Sequence, residues 1–318
     1  MINKEIGGYF GLEQFEGNAM YSDLVAVNSA RNAVAHLIAA KGIKKIYLPY
    51  YLCNSIAQVC KREGCAYEYY NIGSDFRPIF DKNLGCNEYL YVVNYFGQLE
   101  DEEILNLQQK HNRIICDNVQ AFFAPPLDGV DTVYSCRKFF GVPDGGYVST
   151  DAPPVDSLER EASAERMSHI LGRYESRNAA LYYDDFKAND AKFEEICLRR
   201  MSLITENILR AVDYNKVKAI REENFSVLDR ALCHLNKLKP KLPRGPYAYP
   251  FYCENGLEAR KKLAKQNIYI ATLWPEVISA GPALERNLAE NILPLPCDQR
   301  YGREDMERIC NAILNLIN

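Results

Sequence analysis

The stretch RIICDNVQAFFAPPLDGVDTVYSCRKFFGVPDGGY, residues 113–147, carries the clearest fold signal in this chain. It reads as a short apolar strand that ends on Asp117, a turn, and a second strand that ends on Ser135. Open α/β sheets bind their ligands at the carboxyl ends of the strands. We therefore expect Asp117 and Ser135 to face a common crevice.

Lys138 follows the second strand in a segment rich in Phe, Gly and Pro, where we expect its amine to be partly removed from water. A lysine amine in such surroundings can form a Schiff base with an aldehyde. A nearby carboxylate can pair with a ring nitrogen, and hydroxyl or amide donors can bind a phosphate. Together these residues suggest an aldehyde cofactor.

The order of these motifs resembles the pyridoxal-phosphate (PLP) aminotransferases of fold type I, and among them the DegT/StrS sugar aminotransferases. The resemblance rests on three segments: DNVQ (117–120), SCRK (135–138) and PDGG (143–146). The glycine pair follows Lys138 by seven and eight residues, as in that family. Asp144 stands where the family has Glu. Ser135 lies three residues before the lysine, a spacing typical of the aspartate aminotransferase group.

For the fold, the resemblance implies α/β, PLP-dependent transferase fold type I. The large domain would hold a mostly parallel seven-stranded sheet between helices, followed by a small C-terminal α+β domain. The alternation of strand and helix patterns also favours a largely parallel sheet. We place a hinge at 213–219, which gives a large PLP-binding domain over 1–212 and a small domain over 213–318. Within the small domain we predict a helix over 223–238 and a strand over 267–274.

The resemblance also implies roles for individual residues. Lys138 would hold PLP as a Schiff base and move the proton during transfer, and Asp117 would stay ionised against the ring nitrogen; these two are the predicted catalytic residues. Gln120 would contact the side of the ring that carries the phenolic oxygen, and Ser135 would contact the phosphate.

A second phosphate contact is predicted at a helix start. Asn28 or Ser29 can cap a helix over AVAHLIAA, and the free amides of its first turn form an anion site. The family has a Ser-Gly-Thr-like segment at this place, which reads Ser29, Ala30 and Arg31 here. Because backbone amides do not depend on the side chain, the site can survive these changes.

The residue that stacks on the cofactor ring stays open. The family carries an aromatic ring in the turn after an early strand, and that position holds Cys53 here. Tyr51 or Phe96 could stack instead, with core packing as the competing role for each ring.

Composition excludes several classes of protein. The chain has 318 residues, 47% of them hydrophobic, and a net charge of −4, which argues against nucleic acid as a partner. It has no run of about 18 apolar residues for a membrane span, and its start lacks an apolar signal core. The eleven cysteines show no zinc-binding spacing, so we expect no metal site. We interpret them as reduced thiols in the cytoplasm.

By resemblance, the expected reaction transfers an amino group from a glutamate-like amino acid to a nucleotide-linked keto sugar, in surface polysaccharide or glycoside biosynthesis. Two alternatives stay open: another PLP enzyme, such as a lyase or dehydratase, and a non-catalytic α/β binding protein with a degenerate PLP site. The resemblance also implies a homodimer in which a partner asparagine reaches the phosphate. Asn178 and Asn189 are candidates for that asparagine.

Overall fold

The computed structural model describes residues 6–153, 155 and 157–317. The strands are β1 (Val25–Val27), β2 (Lys45–Pro49), β3 (Ala66–Ile72), β4 (Pro78–Ile79), β5 (Glu88–Val93), β6 (Ile114–Asp117), β7 (Asp131–Ser135), β8 (Gly146–Ser149), β9 (Ala248–Tyr252) and β10 (Ile292–Pro296). The helices are α1 (Ala30–Lys41), α2 (Asn54–Arg62), α3 (Asp101–His111), α4 (Ser168–Ser176), α5 (Tyr183–Glu195), α6 (Leu203–Arg210), α7 (Tyr214–Leu232), α8 (Gly256–Ala264), α9 (Pro275–Ala280), α10 (Ala283–Asn291) and α11 (Arg303–Ile317).

The first eight strands form one sheet in the order β1-β8-β7-β6-β5-β2-β3-β4. Strands β2, β3, β5, β6 and β7 are parallel to one another, whereas β8 and β4 run antiparallel to their neighbours. The central strands are buried along most of their length, as expected for a parallel sheet covered on both faces. The mostly parallel α/β architecture is confirmed. The sheet has eight strands rather than seven, and the shortest of them is β4, a two-residue edge strand.

The register of the sheet brings three strand ends together. Val93 pairs with Asp117, and Asp117 pairs with Val133, so β5, β6 and β7 finish at the same edge. Both β6 and β7 lie within residues 113–147. Asp117 and Ser135 are thereby placed side by side at the carboxyl edge of the sheet.

Strands β9 and β10 pair antiparallel as a separate two-stranded sheet, with Ala248 opposite Pro296. Helices α7, α8 and α11 share an apolar core with this sheet that includes Phe225, Phe251 and Met306. This part of the chain is α+β, as predicted. The boundary at 212/213 stays a prediction.

Residues 214–219 are helical: the Asp213 carboxylate accepts a hydrogen bond from Lys216 N at 3.0 Å, and α7 begins at Tyr214 and ends at Leu232. The hinge at 213–219 stays a prediction, like the domain boundary. One local prediction in this region is wrong. Residues 267–274 form a loop rather than a strand. Asn267 and Trp274 have φ values of 59° and 55°, which extended backbone does not allow.

Within the described residues, no helix is long and apolar enough to cross a membrane. The same part of the chain holds no group of three or more His, Cys, Asp or Glu side chains that could bind a metal ion.

Candidate active site

A cleft of about 850 Å³ lies at the carboxyl edge of the large sheet. One wall consists of the ends of β5, β6 and β7 and the start of α1. The facing wall consists of Tyr247, the loop at 269–274 and the segment that follows β10. The cleft brings together most of the predicted site residues: Ser29, Ala30, Arg31, Cys53, Asp117, Gln120, Ser135 and Lys138.

Lys138 projects into this cleft from a tight turn after β7. The turn is fixed because the amides of Phe139 and Phe140 both donate to Cys136 O, at 3.1 and 2.9 Å. The Lys138 side chain is exposed, and its Nζ lies 5.6 Å from the centre of the Tyr247 ring on the facing wall. The exposure of this side chain contradicts the expectation that its amine is partly removed from water.

Asp117 lies at the end of β6 and is only 5% exposed. Its Oδ1 accepts a hydrogen bond from Val119 N at 2.8 Å, and its Oδ2 accepts one from the Tyr91 hydroxyl at 2.9 Å. Burial raises the pKa of Asp117, and the Val119 amide, the Lys138 charge and the Tyr91 hydroxyl oppose that rise without cancelling it. A cation bound beside this carboxylate would complete its neutralisation.

The Gln120 side chain is held by a single backbone contact. Its Oε1 accepts a hydrogen bond from Phe96 N at 2.8 Å, which leaves Nε2 buried with no partner among the described residues. A buried donor without a partner costs about 1–3 kcal/mol. An acceptor bound in the cleft, such as a phenolic oxygen, would remove that cost.

The start of α1 supplies the predicted anion site. Ser29 is the N-cap, and its hydroxyl accepts a hydrogen bond from Asn32 N at 3.2 Å. Ala30 and Arg31 follow in the first turn and line the cleft. A phosphate here would meet free backbone amides, the positive end of the helix dipole and the Arg31 guanidinium. The cleft therefore offers a lysine, a buried carboxylate, an amide donor and an anion site, which together fit pyridoxal phosphate.

The second glycine of the PDGG motif allows this helix start to lie against the sheet. A Cβ on Gly146 would lie 2.8 Å from Ala30 N, Ser29 C and Tyr134 O, all of them backbone atoms. Only a residue without a side chain fits between the two elements.

We expect Gly146→Ala to lower the free energy of unfolding by about 2–4 kcal/mol, because backbone on both sides cannot move away. Urea unfolding measures this loss. Gly141→Ala is the matched control, since a Cβ there would meet only Ile170 at an ordinary 3.6 Å. Equal losses in the two variants would show that close packing at Gly146 is unimportant.

Asp144, which replaces the family's Glu, is fully buried and lies outside the cleft. Its carboxylate accepts hydrogen bonds from Ser202 N at 2.9 Å, from the Ser202 hydroxyl at 2.6 Å and from the Thr205 hydroxyl. It thereby links the glycine turn to the start of α6. Its role in this structure is to hold the PDGG segment in place.

The three candidates for the residue beside the cofactor ring differ in their positions relative to the cleft. Cys53 lines the cleft, with its Sγ 2.8 Å from the Ser55 hydroxyl. Tyr51 and Phe96 are fully buried in the main core, and neither lines the cleft. Tyr51 packs edge-on against Trp274, with ring centres 4.4 Å apart. Their positions do not support a stacking role for Tyr51 or Phe96.

The two asparagines proposed for a second subunit also differ. Asn189 is 3% exposed and is used inside the chain: its Nδ2 donates to Pro143 O, and its Oδ1 accepts from Arg166. It cannot reach a partner from this position. Asn178 is exposed.

Arg137 is a cleft residue that the sequence did not single out. Its Nη1 and Nη2 both donate to Asp190 Oδ1 at 3.0 Å, and its guanidinium lies 4.5 Å from the centre of the Phe193 ring. Burial lowers the pKa of Arg137, and the negative charge of Asp190 opposes this change without cancelling it. The sequence shows that Arg137 lies between Ser135 and Lys138. Its contacts, however, are with residues of α5, a helix that is distant in the sequence.

No family model matches this sequence, and no curated protein matches it. The structure is similar to solved aminotransferases. DesV of S. venezuelae, solved with a ketimine intermediate, aligns at 20% identity over 91% of this chain and 83% of its own, with a TM-score of 0.64. A DegT DnrJ EryC1 StrS aminotransferase from Brucella abortus aligns at 14% identity over 92% and 85%, with a TM-score of 0.61.

NtdA from Bacillus subtilis, solved with the bound cofactor PMP, aligns at 14% identity over 92% of this chain and 73% of its own, with a TM-score of 0.64. These alignments cover nearly the whole chain at low identity. They show that the chain has PLP-dependent transferase fold type I, as predicted.

Proposed function

We propose that this chain is a PLP-dependent aminotransferase that moves an amino group from an amino acid to a nucleotide-linked keto sugar. The observation that carries the proposal is the meeting of Lys138, Asp117 and the unpartnered Gln120 Nε2 in one cleft. The fold supports the proposal, because DesV and NtdA, which share it, are solved with a ketimine and with PMP.

The chemistry divides between cofactor and protein. Pyridoxal phosphate, when bound, supplies an electron sink for the substrate carbon that loses its proton. Lys138 would hold the cofactor covalently. Once a donor amine displaces it, Lys138 would accept the proton from the substrate carbon as a base and return it as an acid. Asp117 would remain ionised and keep the ring nitrogen protonated. A ring cation beside Asp117 would oppose the effect of burial, which raises the pKa of this carboxyl in the unloaded protein.

Other groups would orient the cofactor. Gln120 Nε2 would donate to the phenolic oxygen, while Ser135, Arg31 and the amides that begin α1 would hold the phosphate. Arg137 adds a second guanidinium to that end of the cleft. The cleft volume of about 850 Å³ is larger than an amino acid alone would occupy. This volume favours an acceptor of the size of a sugar.

The test is to titrate the purified chain with PLP and follow its visible absorption band. Borohydride should then fix the cofactor on Lys138, as peptide mass spectrometry would show. A chain that binds no PLP would be a non-catalytic binding protein. Glutamate with keto-sugar acceptors should yield an amino sugar; loss of water or cleavage without transfer would instead indicate a dehydratase or lyase.

We also propose that the chain works in a reducing compartment, namely the cytoplasm. All eleven cysteines are free thiols, which is typical of proteins kept under reducing conditions.

We further propose a homodimer, supported by an exposed apolar arm. Ile6, Tyr9 and Phe10 are 96%, 99% and 96% exposed, beyond an anchor in which Asn207 bonds to Phe15 N at 2.9 Å and to Glu13 O at 2.7 Å. Three large apolar side chains left almost fully exposed within one short segment would be covered by a second copy of the chain.

Sedimentation velocity at micromolar concentration should therefore give a dimer, with and without PLP. Removing residues 1–12 should weaken the dimer at least about 10-fold without changing the far-ultraviolet circular dichroism. A monomer that binds PLP and turns over at all concentrations would contradict this prediction.

A further inference from the structure

Two arginines, Arg31 and Arg137, line the cleft beside the predicted phosphate site. Arg31 lies in the first turn of α1, is half-buried, and takes part in no hydrogen bond or ion pair within the described part of the chain. A guanidinium that has lost part of its water without gaining a counter-ion is costly. Arg31 therefore indicates that an anion binds in this part of the cleft.

Arg137 lies close enough to Arg31 for the two charges to interact. Its Nη1 and Nη2 both donate to one oxygen of Asp190, while its Nε donates to nothing within the described residues. Burial lowers the pKa of Arg137, Asp190 opposes this change, and the positive charges of Arg31 and Arg166 add to it. An anion that contacts both Arg31 and Arg137 would relieve the repulsion between them.

The position of Arg137 is set by α5. The ring centre of Phe193, which is fully buried, lies 4.5 Å from the guanidinium of Arg137 and 5.0 Å from that of Arg166. Arg166 is fixed in turn by Glu161, whose carboxylate lies 3.1 Å from Arg166 Nη2, and both side chains are almost completely buried. Phe193 thus holds the Arg137 guanidinium at a fixed place in the cleft wall.

Helix α5 is also attached to the PDGG segment (143–146). Asn189 donates from Nδ2 to Pro143 O at 3.0 Å, and its Oδ1 accepts from Arg166 Nη1 at 3.2 Å. One face of α5 lines the cleft through residues spaced four apart: Phe186, Asp190 and Glu194. The wall of the cleft beside Arg137 therefore comes from α5 of the same chain.

The cofactor phosphate needs more positive charge than neutral donors supply. A phosphate monoester carries a charge of about −1.5 to −2 at neutral pH. Backbone amides and the Ser135 hydroxyl donate hydrogen bonds without a full charge, and so would the asparagine of a second subunit that the resemblance implies. Arg31, by contrast, brings a positive charge to the place where the Ser-Gly-Thr-like segment of the family has its Thr, and Arg137 brings another.

We propose that Arg31 and Arg137 neutralise the cofactor phosphate within a single chain, so that the phosphate site requires no residue of a second subunit. Phe193 of α5 is the positioning residue for Arg137. This inference rests on the proposed binding of pyridoxal phosphate. The proposed homodimer would then form without contributing to the phosphate site.

The test measures what the phosphate adds to cofactor affinity. Pyridoxal lacks the phosphate, so the ratio of its Kd to the Kd of PLP gives the phosphate advantage of each variant. Trp274, the single tryptophan of the chain, lies in the cleft wall and reports binding of both ligands by its fluorescence. Arg303→Met is the control, because Arg303 is an exposed arginine that pairs with Glu307 outside the cleft.

We expect Arg31→Met and Arg137→Met each to lower the phosphate advantage about 10- to 100-fold, the loss for a charge-assisted hydrogen bond, while the Kd of pyridoxal stays unchanged. Arg137→Lys, which keeps the charge, should fall between Arg137→Met and wild type, and Arg303→Met should equal wild type. The variant that carries both Met substitutions in the cleft should bind PLP within about 10-fold of pyridoxal. A double variant that keeps most of the phosphate advantage would overturn the proposal.

Phe193→Leu tests the positioning by α5, because leucine keeps an apolar side chain but removes the aromatic ring. We expect the phosphate advantage to fall about 3- to 10-fold, in the range of a cation–π contact, without a change in the Kd of pyridoxal. Phe225→Leu is the matched control, since Phe225 is also buried but lies in the core of the two-stranded sheet. Equal effects of the two substitutions would show that Phe193 contributes only to general stability.

The role of a second subunit is tested by dilution. The phosphate advantage of the wild type should be the same at protein concentrations where sedimentation shows a dimer and where it shows a monomer. An advantage that disappears when the dimer dissociates would overturn the proposal, because a partner residue would then be needed. Binding of PLP with the full advantage but without a borohydride-stable adduct on Lys138 would refute the aminotransferase function alone and would still support the roles of Arg31 and Arg137.

Discussion

Lys138→Ala should abolish amino-group transfer while the protein keeps its fold. The Lys138 side chain is exposed in the cleft, and its contact with Tyr247 is a single cation–π interaction, so its removal should change the free energy of unfolding by less than about 1 kcal/mol. The chemical loss is far larger, because both the covalent attachment and the proton carrier disappear. We expect a fall in turnover of at least about 10³-fold, typical of a removed catalytic group.

Single-turnover kinetics with glutamate and a keto-sugar acceptor measure this effect, and urea unfolding checks the fold. Lys262→Ala is the control, since Lys262 is an exposed lysine on α8, outside the cleft. Borohydride should leave no cofactor on the Lys138→Ala chain. If that variant still turns over and still binds the cofactor covalently, another amine is the nucleophile.

The large sheet could be predicted because its signals are local. Residues 113–135 contain two apolar runs that end on polar side chains, and these become β6 and β7. Parallel neighbours have their carboxyl ends at the same edge, so Asp117 and Ser135 lie at one edge once β6 and β7 are adjacent. The helix start at Ser29 could be predicted for the same reason, since a cap is set by one side chain.

The remaining parts of the site depend on contacts between distant segments. Gln299, which follows β10, donates to the carbonyl of Phe139 next to Lys138, although Gln299 and Phe139 are 160 positions apart in the chain. Arg137 owes its position to Asp190 on α5, 53 residues away. No local pattern encodes such pairs. Apolar residues of the loop at 267–274 line the cleft. Their alternation in the sequence is the same as that of a strand, so the pattern alone predicts a strand there.

Asp117→Asn should leave the cofactor able to bind and reduce transfer about 10²- to 10³-fold, equivalent to roughly 3–4 kcal/mol of transition-state stabilisation. The amide can keep the hydrogen bond from Val119 N but cannot hold the ring nitrogen protonated. Tyr91→Phe, which removes only the 2.9 Å bond to Asp117 Oδ2, is the matched control and should cause a much smaller loss.

Asp117→Asn should increase the stability of the unloaded protein, although it lowers the rate of transfer. Because burial raises the pKa of Asp117, the folded protein holds this proton to a higher pH than the unfolded chain, whose ordinary value is 3.8. Stability therefore falls as the pH rises between these two pKa values, and the full penalty is present above the higher one. The unloaded Asp117→Asn protein should be more stable than wild type at neutral pH, and the difference should shrink as the pH falls toward 3.8. Urea unfolding of both proteins across this range measures the effect. A variant that is less stable at neutral pH and turns over at the wild-type rate would show that Asp117 only caps the turn at Val119.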